Sequence, residues 1–404
     1  MNRVDVCIVG GGPAGSTVAA LLARAGHEVL VVERTPAWRW HACGVFSSPA
    51  SITALARIGL GPAAIRNATR AIPAMRVEVP GAPGVRLTYG DDGSLTRPAV
   101  GFDREALDSS LLDLATTAGA RVERGMTATR VEFGAANRKR RVIARGGDGR
   151  ESAVETGVVV GADGIRSLVA RRAGVTRPAH LGHRVGLTFH VRDPRPETPL
   201  DARMVVLDGA YCGLAPVPGG RVNVGIVLTA RRRLRELAAH GAATTARRVL
   251  RSIPRTAEEP DWATAEGCES PAGAAPLGHR VARRAGEDWL LVGDAAGFLD
   301  PFTGEGLHRA LVSAELAATA IDAKLRHGAD LAAYERRMAA RFAGKDAVTL
   351  LVQSFLARPA LLSYATRRLA SRDAVRETMG LVIGDLAPAS RAFDPRFLAR
   401  LLAP

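Results

Sequence analysis

The chain has 404 residues, enough for two or three domains around a large hydrophobic core. Hydrophobic residues make up 47% of it and charged residues 24%, which excludes a disordered or fibrous protein. A net charge of +15 suggests nucleic acid, but 52 of the 55 basic residues are arginines dispersed along the chain. The densest run, at 138–141, has no aromatic residues for base stacking, so we expect a solvated hairpin and no nucleic-acid partner.

The N-terminus and the cysteines indicate a cytoplasmic protein. Glycines at 10–12 interrupt what would have to be the apolar part of a signal peptide. Cys7, Cys43, Cys212 and Cys268 lie far apart with no CxxC pair, so we expect reduced thiols and no metal site. The sequence has no run of about 18 apolar residues, which argues against a transmembrane segment and leaves peripheral membrane contact open.

The first 33 residues predict a βαβ unit, with strands at 4–9 and 28–33 around a helix that ends near Gly26. Strand and helix patterns then alternate, and residues 331–404 are expected to be helical. Further strands are expected at 75–80, 85–89, 121–133, 141–162, 185–228 and 288–294, and further helices at 104–119, 231–252 and 305–326. This order predicts an α/β fold in which a β-sheet domain interrupts a nucleotide-binding domain.

A glycine motif, Gly10-x-Gly12-x-x-Gly15, joins the first predicted strand to the first helix. Gly10 permits the tight turn, Gly12 admits a pyrophosphate at the helix N-terminus, and Gly15 lets helix and strand pack closely. Glu33, at the end of the next strand, would hold a ribose 2′-hydroxyl. The motif therefore predicts an adenosine diphosphate group without a 2′-phosphate.

Two later segments, 161–167 (GADGIRS) and 293–306 (GDAAGFLDPFTGEG), complete a set of three ordered motifs. Together they resemble the FAD-dependent superfamily of geranylgeranyl reductases, class A flavin monooxygenases and flavin-dependent halogenases, from residue 4 to about residue 320. The resemblance implies a Rossmann-like FAD-binding domain of the glutathione-reductase type, an inserted mixed β-sheet substrate domain and a C-terminal helical cap. Their limits are expected at 1–70, 100–175 and 275–330 for the FAD-binding domain, 71–99 and 176–274 for the substrate domain, and 331–404 for the cap.

The resemblance also implies the residues that hold FAD. Asp294 would bind the ribityl chain, and the amides that start a helix at 304–306 would face the flavin pyrimidine edge. Arg104 would lie along the ribityl and phosphate side, or else be an exposed arginine at a helix start. The full cofactor set is Gly10, Gly12, Pro13, Ala14, Gly15, Glu33, Arg34, Cys43, Gly44, Arg104, Asp163, Gly164, Asp294, Pro301, Gly304, Glu305 and Gly306.

Cys43 and Glu305 are the candidate catalytic residues. Cys43-Gly44-x-x-Ser47 resembles the turn that geranylgeranyl reductases place beside the isoalloxazine ring. The neighbouring His41 is a candidate pocket residue, as an acid/base, a covalent flavin tether or a structural histidine.

The other candidate pocket residues lie on the predicted strands of 185–228. Leu187, Phe189 and Val191 share one face by alternation, which predicts an apolar pocket, and Tyr211 belongs to a strand pair that roofs the pocket in the family. The tryptophans expected near Tyr211 are missing, and the sequence has no lysine before Lys139, which disfavours halogenation.

Three functions remain open at this point. A monooxygenase, which we favour, would use NAD(P)H to reduce FAD and a flavin C4a-hydroperoxide to oxygenate a hydrophobic molecule of secondary metabolism. An ene-reductase or dehydrogenase would instead transfer hydride between flavin N5 and an isoprenoid or polyketide. A flavin-binding sensor or electron carrier would have no substrate. No second nucleotide motif is present, so NAD(P)H would bind transiently or a separate reductase would supply electrons.

Overall fold

The computed structural model describes residues 2–38, 40, 43–89, 98–134, 140–179, 181–255 and 259–402. His41 lies outside the described residues, as do Arg138 and Lys139 of the basic run. Of the same run, Arg140 pairs with Asp288.

The described part of the chain forms nineteen strands and eleven helices. The strands are β1 (Asn2–Val9), β2 (Val29–Glu33), β3 (Phe46–Ser47), β4 (Thr69–Ile72), β5 (Ala74–Glu78), β6 (Val85–Thr88), β7 (Ala99–Phe102), β8 (Arg121–Arg124), β9 (Thr127–Glu132), β10 (Arg141–Arg145), β11 (Glu151–Gly161), β12 (Thr176–Arg177), β13 (Val185–Arg192), β14 (Ala202–Leu207), β15 (Ala210–Val217), β16 (Arg221–Leu228), β17 (Ala272–Ala274), β18 (Arg280–Val281) and β19 (Trp289–Leu291). The helices are α1 (Pro13–Arg24), α2 (Ala50–Arg57), α3 (Pro62–Ala68), α4 (Arg104–Thr117), α5 (Leu168–Arg172), α6 (Arg231–Arg251), α7 (Gly306–His327), α8 (Ala332–Leu356), α9 (Pro359–Ser371), α10 (Asp373–Ile383) and α11 (Pro395–Leu402).

The first sheet carries the predicted βαβ unit. Strand β1 lies between β2 and β11, and β2 in turn pairs with β8, all in parallel. The carboxyl end of β11 pairs in parallel with β19, while its amino end pairs antiparallel with β10. The apolar side chains of β1, β2, β11 and β19 share one core with those of α1 and α7. This arrangement is the α/β fold that the sequence predicts.

The second sheet has the order β17-β13-β16-β15-β14-β5-β6. One of its sides packs against α6 in a core of its own, and this core contains Leu187, Phe189 and Val191. The prediction that these three residues face the pocket is therefore wrong. They do share one face, but both sides of the sheet are covered by protein, so alternation alone could not tell which side meets the cofactor domain.

Helix α6 differs from the continuous helix predicted at 231–252. It is broken at Gly241, which has φ 76° and ψ 171°. The fully buried side chains, Thr245, Ala246, Val249 and Leu250, all lie in the C-terminal half, while Leu234 and Leu237 of the N-terminal half are partly buried against the same core. The helix can change direction at Gly241, because glycine adopts a positive φ without the steric cost of a Cβ atom.

The C-terminal helices pack against both sheets. Tyr334, Met338 and Phe342 of α8 belong to the core of the first sheet. In α10, a Cβ atom added to Gly380 would lie 2.1 Å from the Thr88 carbonyl oxygen on β6 of the second sheet. Within the described residues no single helix is long and apolar enough to span a membrane, whereas α8 and α9 together meet those criteria but are bent by 115°.

Candidate active site

Four parallel strands of the first sheet end at residues that the sequence singles out. Gly10 follows β1, Glu33 ends β2, Asp163 follows β11 and Asp294 follows β19. Because the strands are parallel, their carboxyl ends lie at the same edge of the sheet. This edge is where open α/β sheets bind nucleotides.

The glycine loop is packed closely on one side and open on the other. A Cβ atom at Gly10, which has φ +102°, would lie 2.5 Å from the Ala162 carbonyl oxygen, and one at Gly15 would lie 1.9 Å from the Gly10 carbonyl oxygen. A Cβ atom at Gly12 would meet no protein atom within 4 Å. The loop therefore brings strand and helix together while leaving the backbone of Gly12 accessible to a ligand.

Glu33 is buried beside this loop. One carboxylate oxygen accepts a hydrogen bond from the Gly11 amide at 2.7 Å, and the other accepts one from the Thr35 amide at 2.7 Å. Each oxygen keeps a second lone pair for a ribose hydroxyl. Arg34 is exposed next to it, and Pro13 and Ala14 form the first turn of α1.

Asp163 fixes the start of a neighbouring helix. One of its carboxylate oxygens accepts a hydrogen bond from the Leu168 amide at 2.6 Å, and the other is buried with no hydrogen-bond partner in the described part of the chain. Burial raises the pKa of this carboxyl. Gly164 follows with φ +73° and has open space around its Cα, so Asp163 and Gly164 make one tight corner at the sheet edge.

Arg104 is mostly buried, not an exposed arginine at a helix start. Its guanidinium binds both carboxylate oxygens of Asp108 at 3.0 Å and donates to the Gly44 carbonyl oxygen at 3.2 Å. It therefore anchors the turn that contains Cys43 and Gly44 to α4.

Cys43 and Asp294 share this neighbourhood. Burial raises the pKa of the Cys43 thiol to about 11, against the opposing effect of Arg104, and Asp294 raises it further. Burial also raises the pKa of Asp294, which Arg104 and Arg309 oppose. The Asp294 carboxylate has no hydrogen-bond partner among the described residues, whereas the backbone carbonyl oxygen of Asp294 accepts from the Gly297 amide. The structure thus brings together three side chains that come from three distant parts of the sequence.

The segment 301–306 leads into α7. Pro301 and Gly304 form a turn in which the Gly304 amide donates to the Pro301 carbonyl oxygen at 3.1 Å. A Cβ atom at Gly304 would clash with the Phe46 ring at 2.3 Å, whereas one at Gly306 would meet nothing within 4 Å. The backbone at the start of α7 therefore packs against the Cys43 turn on one side and is open on another.

The side chain of Glu305 joins a buried ionic cluster that sequence reasoning missed. Lys345 lies 2.7 Å from a Glu305 oxygen and 3.1 Å from an Asp385 oxygen. His308 lies 3.0 Å from the other Asp385 oxygen, which also accepts a hydrogen bond from Ser48 at 2.9 Å. Burial raises the pKa of Glu305 to about 7, and Lys345 opposes this. No local motif marks Lys345 or Asp385, because each reaches Glu305 only through the packing of α8 and α10.

The second sheet presents its other side to this edge. Met75, Tyr211, Val227 and Leu277 lie in one apolar cluster with Val45 of the Cys43 turn, which Phe298 and Phe302 join. This side, and not the side with Phe189, faces the cofactor motifs.

Tyr211 links the sheet directly to the segment 293–306. Its hydroxyl donates to Asp300 at 2.6 Å, and Arg184 donates to the other oxygen of Asp300 at 2.7 Å. Burial, and next to it the charge of Asp300, raises the pKa of Tyr211 well above its usual value, so the hydroxyl keeps its proton.

These residues fit an FAD molecule. Glycines in three separate segments (12, 44 and 306) have open space where a side chain would stand, and the Asp294 carboxylate faces no hydrogen-bond partner in the described chain. The glycine loop would hold the pyrophosphate at the start of α1, Glu33 the adenosine ribose, and Asp294 with Arg104 the ribityl side.

Comparison with known proteins identifies the family. A family model described as FAD binding domain matches residues 3–345. A menaquinone reductase of Mycolicibacterium smegmatis is 29% identical over 339 residues, which cover 78% of this chain and 76% of the relative. A digeranylgeranylglycerophospholipid reductase of Methanothermobacter thermautotrophicus is 33% identical over 348 residues, which cover 83% of each protein.

Two other relatives extend the comparison. A 3-amino-4-hydroxybenzoate 2-monooxygenase of Streptomyces platensis is 37% identical over 188 residues, 46% of this chain and 45% of the relative. A solved flavoprotein/dehydrogenase from Cytophaga hutchinsonii superposes with a TM-score of 0.83 over 97% of this chain and 95% of that chain, at 19% identity, which shows the shared fold. The chain belongs to the FAD binding domain family, within the superfamily of geranylgeranyl reductases and class A flavin monooxygenases, and is an FAD-dependent oxidoreductase.

Proposed function

We propose that this flavoenzyme is a reductase that saturates a carbon–carbon double bond of a hydrophobic small molecule. The observation that carries the proposal is the place of Cys43, whose turn Arg104 anchors to α4 through the Gly44 carbonyl oxygen, in the same neighbourhood as Asp294. Burial raises the pKa of the Cys43 thiol to about 11, so the sulfur carries a proton at neutral pH. When bound and reduced, FAD would supply a hydride to one carbon of the double bond. Cys43 would give its proton to the other carbon in the same step, so that no free carbanion forms, and the thiolate would regain a proton from solvent.

Arg104 supports the proton transfer. Its charge opposes the rise in the pKa of Cys43, so it would stabilise the thiolate that remains after the proton has left. Asp108 and Gly44 hold the guanidinium in place through three hydrogen bonds. The site would therefore need no large rearrangement between the two protonation states.

The relatives that match over most of their length favour the reductase over the monooxygenase that the sequence alone favoured. The menaquinone reductase and the digeranylgeranylglycerophospholipid reductase each align over at least 76% of their own length. We further propose that NAD(P)H, binding transiently, or a separate reductase supplies the electrons.

The test is to reduce the FAD-loaded enzyme without oxygen and to mix it with a polyprenyl naphthohydroquinone, whose ring is already reduced and so cannot itself oxidise the flavin, and with a geranylgeranyl glycerophospholipid. We expect one of them to reoxidise the flavin and to leave as a product that is heavier by two hydrogen atoms. Cys43→Ser should slow product formation at least about tenfold while FAD stays bound, because proton transfer contributes roughly 10²-fold or more. Cys268→Ser, an exposed thiol, is the matched control.

A monooxygenase is the second candidate, and the similarity to the 3-amino-4-hydroxybenzoate 2-monooxygenase supports it. It predicts that the reduced enzyme leaves every unsaturated compound unchanged until oxygen is added, and that the product then carries one atom from labelled oxygen gas. That result would contradict the reductase. No product under either condition would contradict both enzymes and favour a flavin-binding sensor or electron carrier.

A further inference from the structure

The side of the second sheet that faces the cofactor motifs has a bare patch at its centre. Gly213 of β15 and Gly225 of β16 lie directly opposite each other in adjacent strands. A Cβ atom at Gly225 would meet nothing closer than 3.8 Å, whereas one at Gly213 would lie 3.3 Å from the methyl carbon of Met204, which borders the patch on β14. A glycine inside a strand commonly marks a place where a ligand comes close to the backbone.

The patch has an apolar end and a polar end. Tyr211 and Val227 form the row of the sheet on one side of the two glycines. His190 and Asn223, which pair with each other, form the row on the other side. A ligand on the glycines would therefore have an apolar neighbour at one edge and hydrogen-bonding groups at the other.

His190 is held in a defined orientation. Its Nδ1 lies 2.7 Å from a Glu269 oxygen, and its ring meets the Trp40 ring edge-on at a centroid distance of 5.9 Å. A carboxylate can only accept, so Nδ1 donates and Nε2 is the acceptor when the ring is neutral. Nε2 has no partner among the described residues.

The surroundings favour the neutral ring. Burial lowers the pKa of His190, and Glu269 opposes this. Arg221 lowers the pKa and Asp103 raises it; these two residues pair with each other at 2.7 Å. Asn223 uses its carbonyl oxygen to accept from Thr188 at 3.0 Å, so its amide nitrogen is left as a donor.

We propose that Gly213 and Gly225 form the floor on which a flat ring of the substrate lies, and that His190 and Asn223 bind a hydroxyl group at the edge of that ring. The amide nitrogen of Asn223 donates a hydrogen bond to the hydroxyl oxygen, and the hydroxyl donates a hydrogen bond to Nε2 of His190. Glu269 is a positioning residue that orients His190. The substrate is thus a ring compound with a free hydroxyl and an apolar remainder that reaches toward Tyr211.

The inference rests on the proposed function only in placing the substrate at this site. Its test is equilibrium binding to the FAD-loaded protein, with 4-methylphenol, which keeps its hydroxyl proton at neutral pH, as the probe and 4-methylanisole, which lacks the free hydroxyl, as the comparison. We expect 4-methylphenol to bind at least about tenfold more tightly, because a site built around a hydroxyl leaves polar groups unpaired without it.

Variants test which residues cause the preference for the probe with the free hydroxyl. His190→Gln and Asn223→Leu should reduce the preference to less than about twofold, while His240→Gln, on the exposed part of α6, should leave it unchanged. Gly225→Val should weaken both probes about tenfold by filling the floor. Retention of FAD reports that each variant is folded.

Equal binding of the two probes by the unaltered protein, or no binding of either, would overturn the proposal without any variant. A preference that survives both His190→Gln and Asn223→Leu would also overturn it. The measurement involves no turnover, so a failed double-bond reduction leaves this inference standing, and a lost preference leaves the reductase proposal standing.

Discussion

At the scale of residues, the site depends on carboxyl groups whose surroundings give them different protonation states. In the cluster around Lys345, burial raises the pKa of Glu305 to about 7, while His308 and Lys345 bring the pKa of Asp385 below its usual range despite burial. The two carboxylates share one lysine but differ in their other partners. The same chemical group, a carboxyl, thus has two different pKa shifts, and the difference comes from the packing of α7, α8 and α10 and not from the sequence around each residue.

This difference predicts a pH dependence of stability. The folded protein binds a proton at Glu305 more tightly than the unfolded chain does, so its contribution to the free energy of unfolding falls as pH rises from about 4.5 to about 7. The loss is on the order of 3 kcal/mol. The lowered pKa of Asp385 has the opposite effect on stability: its contribution to the free energy of unfolding is lost only as pH falls below the usual pKa of an aspartate. Asp385 therefore does not mask the effect of Glu305 between pH 5 and 8.

Thermal unfolding of the protein at saturating FAD, measured between pH 5 and 8, checks this prediction. From pH 5 to pH 8 the unfolding temperature should fall further in the unaltered protein than in Glu305→Gln, because the neutral amide of the variant does not titrate. Glu287→Gln, at an exposed position, should behave as the unaltered protein does. Parallel curves for Glu305→Gln and the unaltered protein would contradict the raised pKa.

Sequence reasoning selected Glu33, Asp294 and Cys43 because each stands at the end of a strand or in a recognisable turn, where position along the chain decides position in space. Lys345 and His190 carry no such mark. Lys345 lies inside a long helix, and His190 is one polar residue in a strand whose two sides are both covered. Their roles follow from which surfaces pack together, and spacing in the sequence does not determine that.

At the scale of elements, the two sides of the second sheet have different surroundings: one side packs in a core with α6, and the other faces the cofactor motifs. Phe189 lies in the core beneath α6, with Val224, Leu214 and Val249. Alternation correctly grouped Phe189 with its neighbours, but the choice of side depends on where α6 returns along the chain. The burial pattern of β14 and β15 is nearly continuous, as expected for strands with protein on both sides.

Phe189→Ala should therefore reduce stability and leave the cofactor site intact. We expect a loss of about 3–5 kcal/mol in the free energy of unfolding, because a buried aromatic ring is replaced by a cavity. The dissociation constant for FAD should change less than about twofold. Denaturant unfolding and FAD titration measure the two quantities. Met204→Ala, on the other side of the same sheet, is the matched variant. A larger effect of Phe189→Ala on FAD affinity than on stability would contradict the assignment of Phe189 to the core beneath α6.

At the scale of the whole molecule, the first of the C-terminal helices, α8, completes the core of the first sheet. Tyr334 of α8 is fully buried, and its hydroxyl donates to the Leu291 carbonyl oxygen of β19 at 2.6 Å. By contrast, residues beyond α8 form a smaller cluster of their own, in which Val375, Val382 and Phe397 pack with Val348. Helix α8 therefore belongs to the FAD-binding core, and α9–α11 are attached to it.

Two truncations separate these contributions. A chain that ends at residue 330 loses Tyr334, Met338 and Phe342, each mostly or fully buried. At roughly 2–5 kcal/mol for each large buried side chain, the loss is comparable with the total stability of a typical domain, about 5–15 kcal/mol, so we expect no folded, FAD-bound protein. A chain that ends at residue 357 keeps α8 and Lys345, so it should fold and bind FAD but unfold at a lower temperature.

Flavin content after purification and the unfolding temperature distinguish the two chains. Full flavin content in the chain that ends at 330 would show that α8 is dispensable and would contradict its place in the core. Loss of flavin from the chain that ends at 357 would instead assign FAD retention to the segment after residue 357, in which the Asp385 carboxylate holds Ser48 and His308 beside the Cys43 turn and α7. The comparison therefore locates the boundary between the part of the chain that builds the cofactor site and the part that does not.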